Sequence, residues 1–134
     1  MLVHASANDP ADWIYVTSEG RALGSFSVTK ARLIFCGHVH RPQLYSADLG
    51  GRVAGHPVIF GQPLPLIRSR RWLGVIGSVG QPRDGVAQAG YAILDRDRNE
   101  LTFRRVGYDV ATTAKKMRAA GLPEALAARL MKGE

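Results

Sequence analysis

The chain has 134 residues, a formal net charge of +7 and 46% hydrophobic residues. That is the size of one domain and too apolar for a disordered chain, and no run approaches the ~18 apolar residues of a membrane-spanning helix. The single cysteine, Cys36, excludes an internal disulfide framework and a four-cysteine zinc site.

Met1-Leu2-Val3-His4 reads as the end of a buried strand. No basic region followed by an apolar stretch opens the chain, so a reducing, cytoplasmic location without membrane attachment is expected. Asp9-Pro10-Ala11-Asp12 carries a helix-start pattern and predicts a short helix or ordered loop to about Ser18, with Gly20 as its stop. Leu33-Ile34-Phe35-Cys36 is a short apolar run that suits a strand buried on both faces. It opens into the loop Gly37-His38-Val39-His40-Arg41-Pro42.

Gly50-Gly51 predicts a hairpin turn between strands over 44–48 and 52–59. Residues 61–65 read as loop and 72–76 as a strand. The stretch 77–85 holds too many glycines and prolines to be regular. A clearer hairpin follows. Residues 89–95 place Ala89, Tyr91 and Ile93 on one face, and 101–108 return with Leu101 and Phe103 on one face. Asp109 is positioned to cap a helix over 110–120, with Gly121 at its C-terminal end. Pro123 opens a second short helix with Leu126 and Leu130 as its apolar stripe. Strands followed by C-terminal helices make the class α+β, with largely antiparallel pairing.

Arginine supplies most of the positive charge. A solvated basic surface and a phosphate-bearing partner both fit it. The basic residues are scattered and not interleaved with aromatics, so no nucleic-acid partner is expected.

Four histidines carry the chemistry. His38 and His40 follow a buried strand, where a rigid scaffold positions loop residues, and neutral imidazole is the commonest metal ligand. Gly37 is suited to turning the backbone there. His4 also follows an apolar run, and parallel alignment would place it beside the pair. A His-x-His pair also occurs on surface loops without a ligand. His56, in Ala54-Gly55-His56-Pro57, reads as a surface histidine. The stretch 77–85 fits both an anion-binding nest, with Arg83 to clamp a phosphate, and a structural Ω-loop.

Gly37-His38-Val39-His40-Arg41-Pro42 resembles the last metal-binding motif of the calcineurin-like metallophosphoesterases. Residues 77–85, with Tyr91-Ala92-Ile93-Leu94-Asp95, resemble the signature that follows it in the small bacterial phosphodiesterase branch. Val3-His4-Ala5-Ser6 resembles that branch's isolated histidine motif, and Val106-Gly107-Tyr108-Asp109 and Ala120-Gly121-Leu122-Pro123 also fit. The resemblance covers essentially the whole chain.

It implies an α/β/β/α sandwich and hydrolysis of phosphomonoesters or phosphodiesters by a water activated on two divalent ions (manganese, iron, nickel or zinc). His4 and His38 would ligate one ion and His40 the other. The family's Asp-x-His, Gly-Asp and Asn-His motifs, which bring the bridging carboxylate, the Asn ligand and the general-acid histidine, do not occur in this sequence. Val75-Ile76 also stands where the branch often has Asn-Pro. Residues 1–134 are therefore expected to be the C-terminal portion of a metallophosphoesterase domain. Its three histidines would hold at most one ion, as in three-histidine zinc sites. Its partners would be a phosphate ester and either a separate N-terminal half or a second copy of itself. The competing expectation is a non-catalytic, self-associating remnant.

Overall fold

Strand β1 (Leu33–Cys36) alternates its side chains between two cores. Ile34 and Cys36 face one and Leu33 and Phe35 the other, as an apolar run in a central strand must. In the computed structural model, which describes residues 1–134, β1 pairs in parallel with β5 (Arg71–Val75). Next come β2 (Gln43–Ala47) and β3 (Val53–His56), both joined antiparallel, giving the order β1-β5-β2-β3. On the other side of β1 runs Met1–His4, again parallel. The amide of Val3 donates to the Phe35 carbonyl and that of Phe35 to the Met1 carbonyl, both at 3.0 Å. This segment is an edge and not a buried strand: Leu2 is 80% exposed.

The pairing is thus largely antiparallel, as expected, with parallel pairs on both sides of β1. β1 and β5 are neighbours joined by a 34-residue crossover, as a parallel pair requires, and proximity in sequence does not show it. The Gly50-Gly51 turn forms as expected, but β3 ends at His56 and does not reach residue 59. A second sheet, β4 (Leu64–Pro65), β7 (Glu100–Val106) and β6 (Ala89–Asp95), packs on the first. Leu44, Leu66, Trp72, Leu101 and Phe103 are buried between the sheets. On β6 it is Ala92 and Leu94 that join this core, while Tyr91 and Ile93 face out.

The region after His4 differs from expectation. Pro10–Asp12 forms only a single 3₁₀ turn, and the helix is α1 (Glu19–Ser27). Ser18 caps it, its Oγ accepting from the Arg21 amide at 3.3 Å. Gly20 lies inside its first turn and does not stop it. Ala22, Ser25 and Phe26, at helical spacing, bury against the outer face of the first sheet with Val16, Ile34, Tyr45 and Leu73. Helices α2 (Val110–Ala119) and α3 (Glu124–Lys132) form the C-terminal hairpin. Asp109 caps α2, its Oδ1 accepting from the Thr112 amide at 2.9 Å. No helix is long and apolar enough to cross a membrane. The result is the expected α+β class with two sheets and three helices.

Candidate metal centre

Three parallel segments, Met1–His4, β1 and β5, end at the same edge of the first sheet. The Gly37 amide donates to the His4 carbonyl at 3.0 Å, and the Ile76 amide to the Cys36 carbonyl at 2.7 Å. Everything that follows those segments, the histidine loops and the 77–85 loop, therefore meets at one place. Carboxyl ends of parallel strands are where open sheets commonly hold ligands.

His4 Nε2 and His38 Nδ1 lie 3.0 Å apart. Two imidazole nitrogens held by one ion at about 2.0–2.1 Å each sit about 2.8–3.4 Å apart for bond angles between square and tetrahedral. The spacing of this pair fits a shared ion. Desolvation, then the neighbouring His4, His40 and Arg83, hold His38 below the usual histidine range, which favours the neutral form that can ligate. His40 is oriented differently. Its Nδ1 lies 2.8 Å from the Gln81 carbonyl, which can only accept, so Nδ1 carries the hydrogen and Nε2 keeps a lone pair. No three His, Cys, Asp or Glu side chains are gathered around a single point. The geometry joins His4 to His38 and leaves His40 a separate donor.

The backbone turn is made by the histidines themselves. His38 and His40 both have φ of 61°, in the left-handed region, whereas Gly37 does not. Asp9 (φ 50°) and Trp13 (φ 51°) share that conformation in the loop opposite.

Two aromatic residues, Trp13 and Tyr15, flank the pair. The Tyr15 ring stacks on His38 with centroids 4.4 Å apart and 13° between planes. Trp13 meets His38 edge-on at 5.3 Å and His4 at 4.7 Å. The spacing Trp13-x-Tyr15, period two on a loop, is the only sequence signal for them.

Arg83 stands across the site. Its amide donates to the His40 carbonyl at 3.2 Å, and its Nε donates to Gln81 Oε1 at 2.9 Å. Arg41 donates from Nε to the Arg83 carbonyl. The 77–85 loop is thus tied to the histidine loop by its backbone. His56 lies apart and is no simple surface histidine. It sits half-buried at the end of β3, 2.8 Å from Ser46 Oγ and against the Trp72 ring. Burial, followed by the Arg70 charge, pushes its pKa down.

The architecture and this edge define a metallophosphoesterase-like fold. A metallophosphoesterase from Sphaerobacter thermophilus superposes with a TM-score of 0.87 at 38% identity, over 99% of this chain and 54% of that one. The chain is also 32% identical over 130 residues to the uncharacterized protein MJ0912 of Methanocaldococcus jannaschii, covering 97% of this chain and 50% of that protein. No family model matches. The chain spans about half the length of the relatives it matches.

Proposed function

We propose that this chain supplies part of the active site of a metal-dependent phosphoesterase. His4 and His38 hold one divalent ion, His40 offers Nε2 to a second, and Arg83 faces the substrate phosphate. The observation that carries this reading is the 3.0 Å approach of His4 Nε2 to His38 Nδ1 at the carboxyl ends of two adjacent parallel segments. When bound, a divalent ion such as manganese, iron, nickel or zinc polarises phosphoryl oxygens and activates water for attack on phosphorus. This chain's residues hold and orient. The Gln81 carbonyl fixes the His40 tautomer, and Tyr15 stacking fixes the His38 ring. The histidine loops carry no carboxylate in the ligand set, so a bridging carboxylate and the general acid come from a separate N-terminal half or another chain.

Two measurements test this. Calorimetric titration with Mn²⁺ is expected to show binding that His38→Ala weakens at least about tenfold, as loss of a ligand does. Hydrolysis of bis-p-nitrophenyl phosphate with Mn²⁺ is expected to rise on adding the N-terminal half of a metallophosphoesterase relative. Continued inactivity after that complementation overturns the reading.

A further inference from the structure

The 77–85 loop touches His40 at two points, and the second sheet holds that loop at both ends. At its start the Gly90 amide on β6 donates to the Ser78 carbonyl at 2.9 Å. Sheet and loop meet so closely there that a Cβ on Gly77 would lie 3.3 Å from Gly90 Cα. At its far end Arg105 of β7 donates from Nη2 to Asp84 Oδ2. We propose that Arg105 is a positioning residue, which through Asp84 holds the Gln81 carbonyl and the Arg83 amide against His40 and so sets the His40 ring to offer Nε2. The inference deepens the phosphoesterase reading and rests on it for the role of His40 as a ligand.

Arg105 is itself fixed. Leu101, Phe103 and Arg105 alternate onto the inner face of β7, where the first two join the inter-sheet core. Its guanidinium lies 3.7 Å over the centroid of the Phe60 ring, which packs against the same core. Both members of the ion pair are mostly shielded, Arg105 at 22% and Asp84 at 15% side-chain exposure. Asp84 Oδ1 is buried without a partner, so the carboxylate rests on its bond to Arg105. Removing the guanidinium leaves a shielded carboxylate with nothing to balance it, and the loop relieves that cost by moving toward water.

The chain passes such a movement to His40. Asp84 follows Arg83, whose amide donates to the His40 carbonyl at 3.2 Å. Two residues earlier the Gln81 carbonyl lies 2.8 Å from His40 Nδ1. The Arg83 Nε donates to Gln81 Oε1 at 2.9 Å, which ties residues 81 and 83 together. With the Gln81 carbonyl withdrawn, the imidazole exchanges its hydrogen between Nδ1 and Nε2, and Nε2 no longer keeps its lone pair free. A second anchor is the Gly85 amide, which donates to the Gly133 carbonyl at the end of α3 at 2.9 Å. That bond is neutral, hence weaker than the charged pair, and one residue farther from Gln81.

The test is two-bond ¹H–¹⁵N correlation NMR of the histidine rings in the ¹⁵N-labelled chain, in EDTA at pH 8. The wild-type His40 ring is expected to show the Nδ1–H form alone. Arg105→Gln is expected to mix the two forms and to speed exchange of the Arg83 amide at least about tenfold, the size of a lost charge-assisted hydrogen bond. Asp84→Ala removes the anchor without stranding a carboxylate. It is expected to act alike, and it carries the test if Arg105→Gln fails to fold. Asp84→Asn combined with Arg105→Gln pairs two neutral amides and is expected to restore the single form. Arg71→Lys, which loosens the C-terminal end of α1, is expected to leave that form unchanged. A His40 ring that keeps the Nδ1–H form in Asp84→Ala overturns the inference, and so does one that Arg71→Lys mixes as strongly as Arg105→Gln. Mn²⁺ calorimetry separates the two readings. A wild-type chain that binds no Mn²⁺, while Arg105→Gln mixes the forms, keeps the coupling of Arg105 to His40 and defeats the metal reading.

Discussion

Ser25, buried on α1, accepts a hydrogen bond from the amide of Ala7 at 3.1 Å, three residues beyond His4. Its Oγ also lies 2.9 Å from Ser6 Oγ. The helix that covers the first sheet thereby holds the loop that leaves the candidate metal centre. Ser25→Ala strands the Ala7 amide and leaves the Ser6 hydroxyl with the Asn8 amide as its one partner. A loss of about 1–3 kcal/mol in urea-unfolding stability is expected.

Arg71 closes the C-terminal end of α1. Its guanidinium donates to the carbonyls of Phe26 at 2.8 Å and Ala31 at 3.1 Å, and also to Thr29, with the Phe26 ring below it. One lysine ammonium cannot reach three carbonyls arranged around a planar fork. Arg71→Lys is therefore expected to cost about 1–3 kcal/mol, and Arg71→Met more, read from thermal melts.

His56 gives the protein an acid-side weakness. Burial and Arg70 depress its pKa in the folded state, so the unfolded chain binds that proton more readily. Stability supplied by this group is full above the ordinary histidine value of about 6.5 and falls as the pH drops below it. The slope of unfolding free energy against pH between 6.5 and 5 is expected to flatten in His56→Gln. An unchanged slope in that variant would remove His56 as its source.

Cys36 is packed in the core under α1, and burial pushes its thiol up to about 12. Only the thiolate reacts. Native protein at pH 8 is expected to show no Ellman's-reagent reaction over minutes, and one equivalent of thiol after denaturation.

The sequence made some of this plain and hid the rest for identifiable reasons. β1 was legible because Leu33–Cys36 is continuously apolar, and α2 because Asp109 and Gly121 bracket it. α1 was obscured by Gly20 and Gly24, which weaken its propensity. Its buried stripe of Ala22, Ser25 and Phe26 includes a serine that becomes a core residue only through its bonds to Ser6 and Ala7. Of the candidate ligands, His4 could be aligned with His38 only on the assumption of parallel pairing, and the structure supplies that pairing. Trp13 and Tyr15 were not legible, since nothing local says that a loop aromatic stacks on an imidazole 23 or more residues away.

Five residues other than glycine have positive φ, and four of them, Asp9, Trp13, His38 and His40, lie in the two loops that face each other across the candidate centre. Each such residue costs of order 1 kcal/mol against a relaxed backbone. That cost is concentrated at the site and is borne by the packing of the sheets and α1 around it. Shape and chemistry are opposed there. Glycine at position 38 or 40 would relax the backbone there, while removing the nitrogen for which the turn is held.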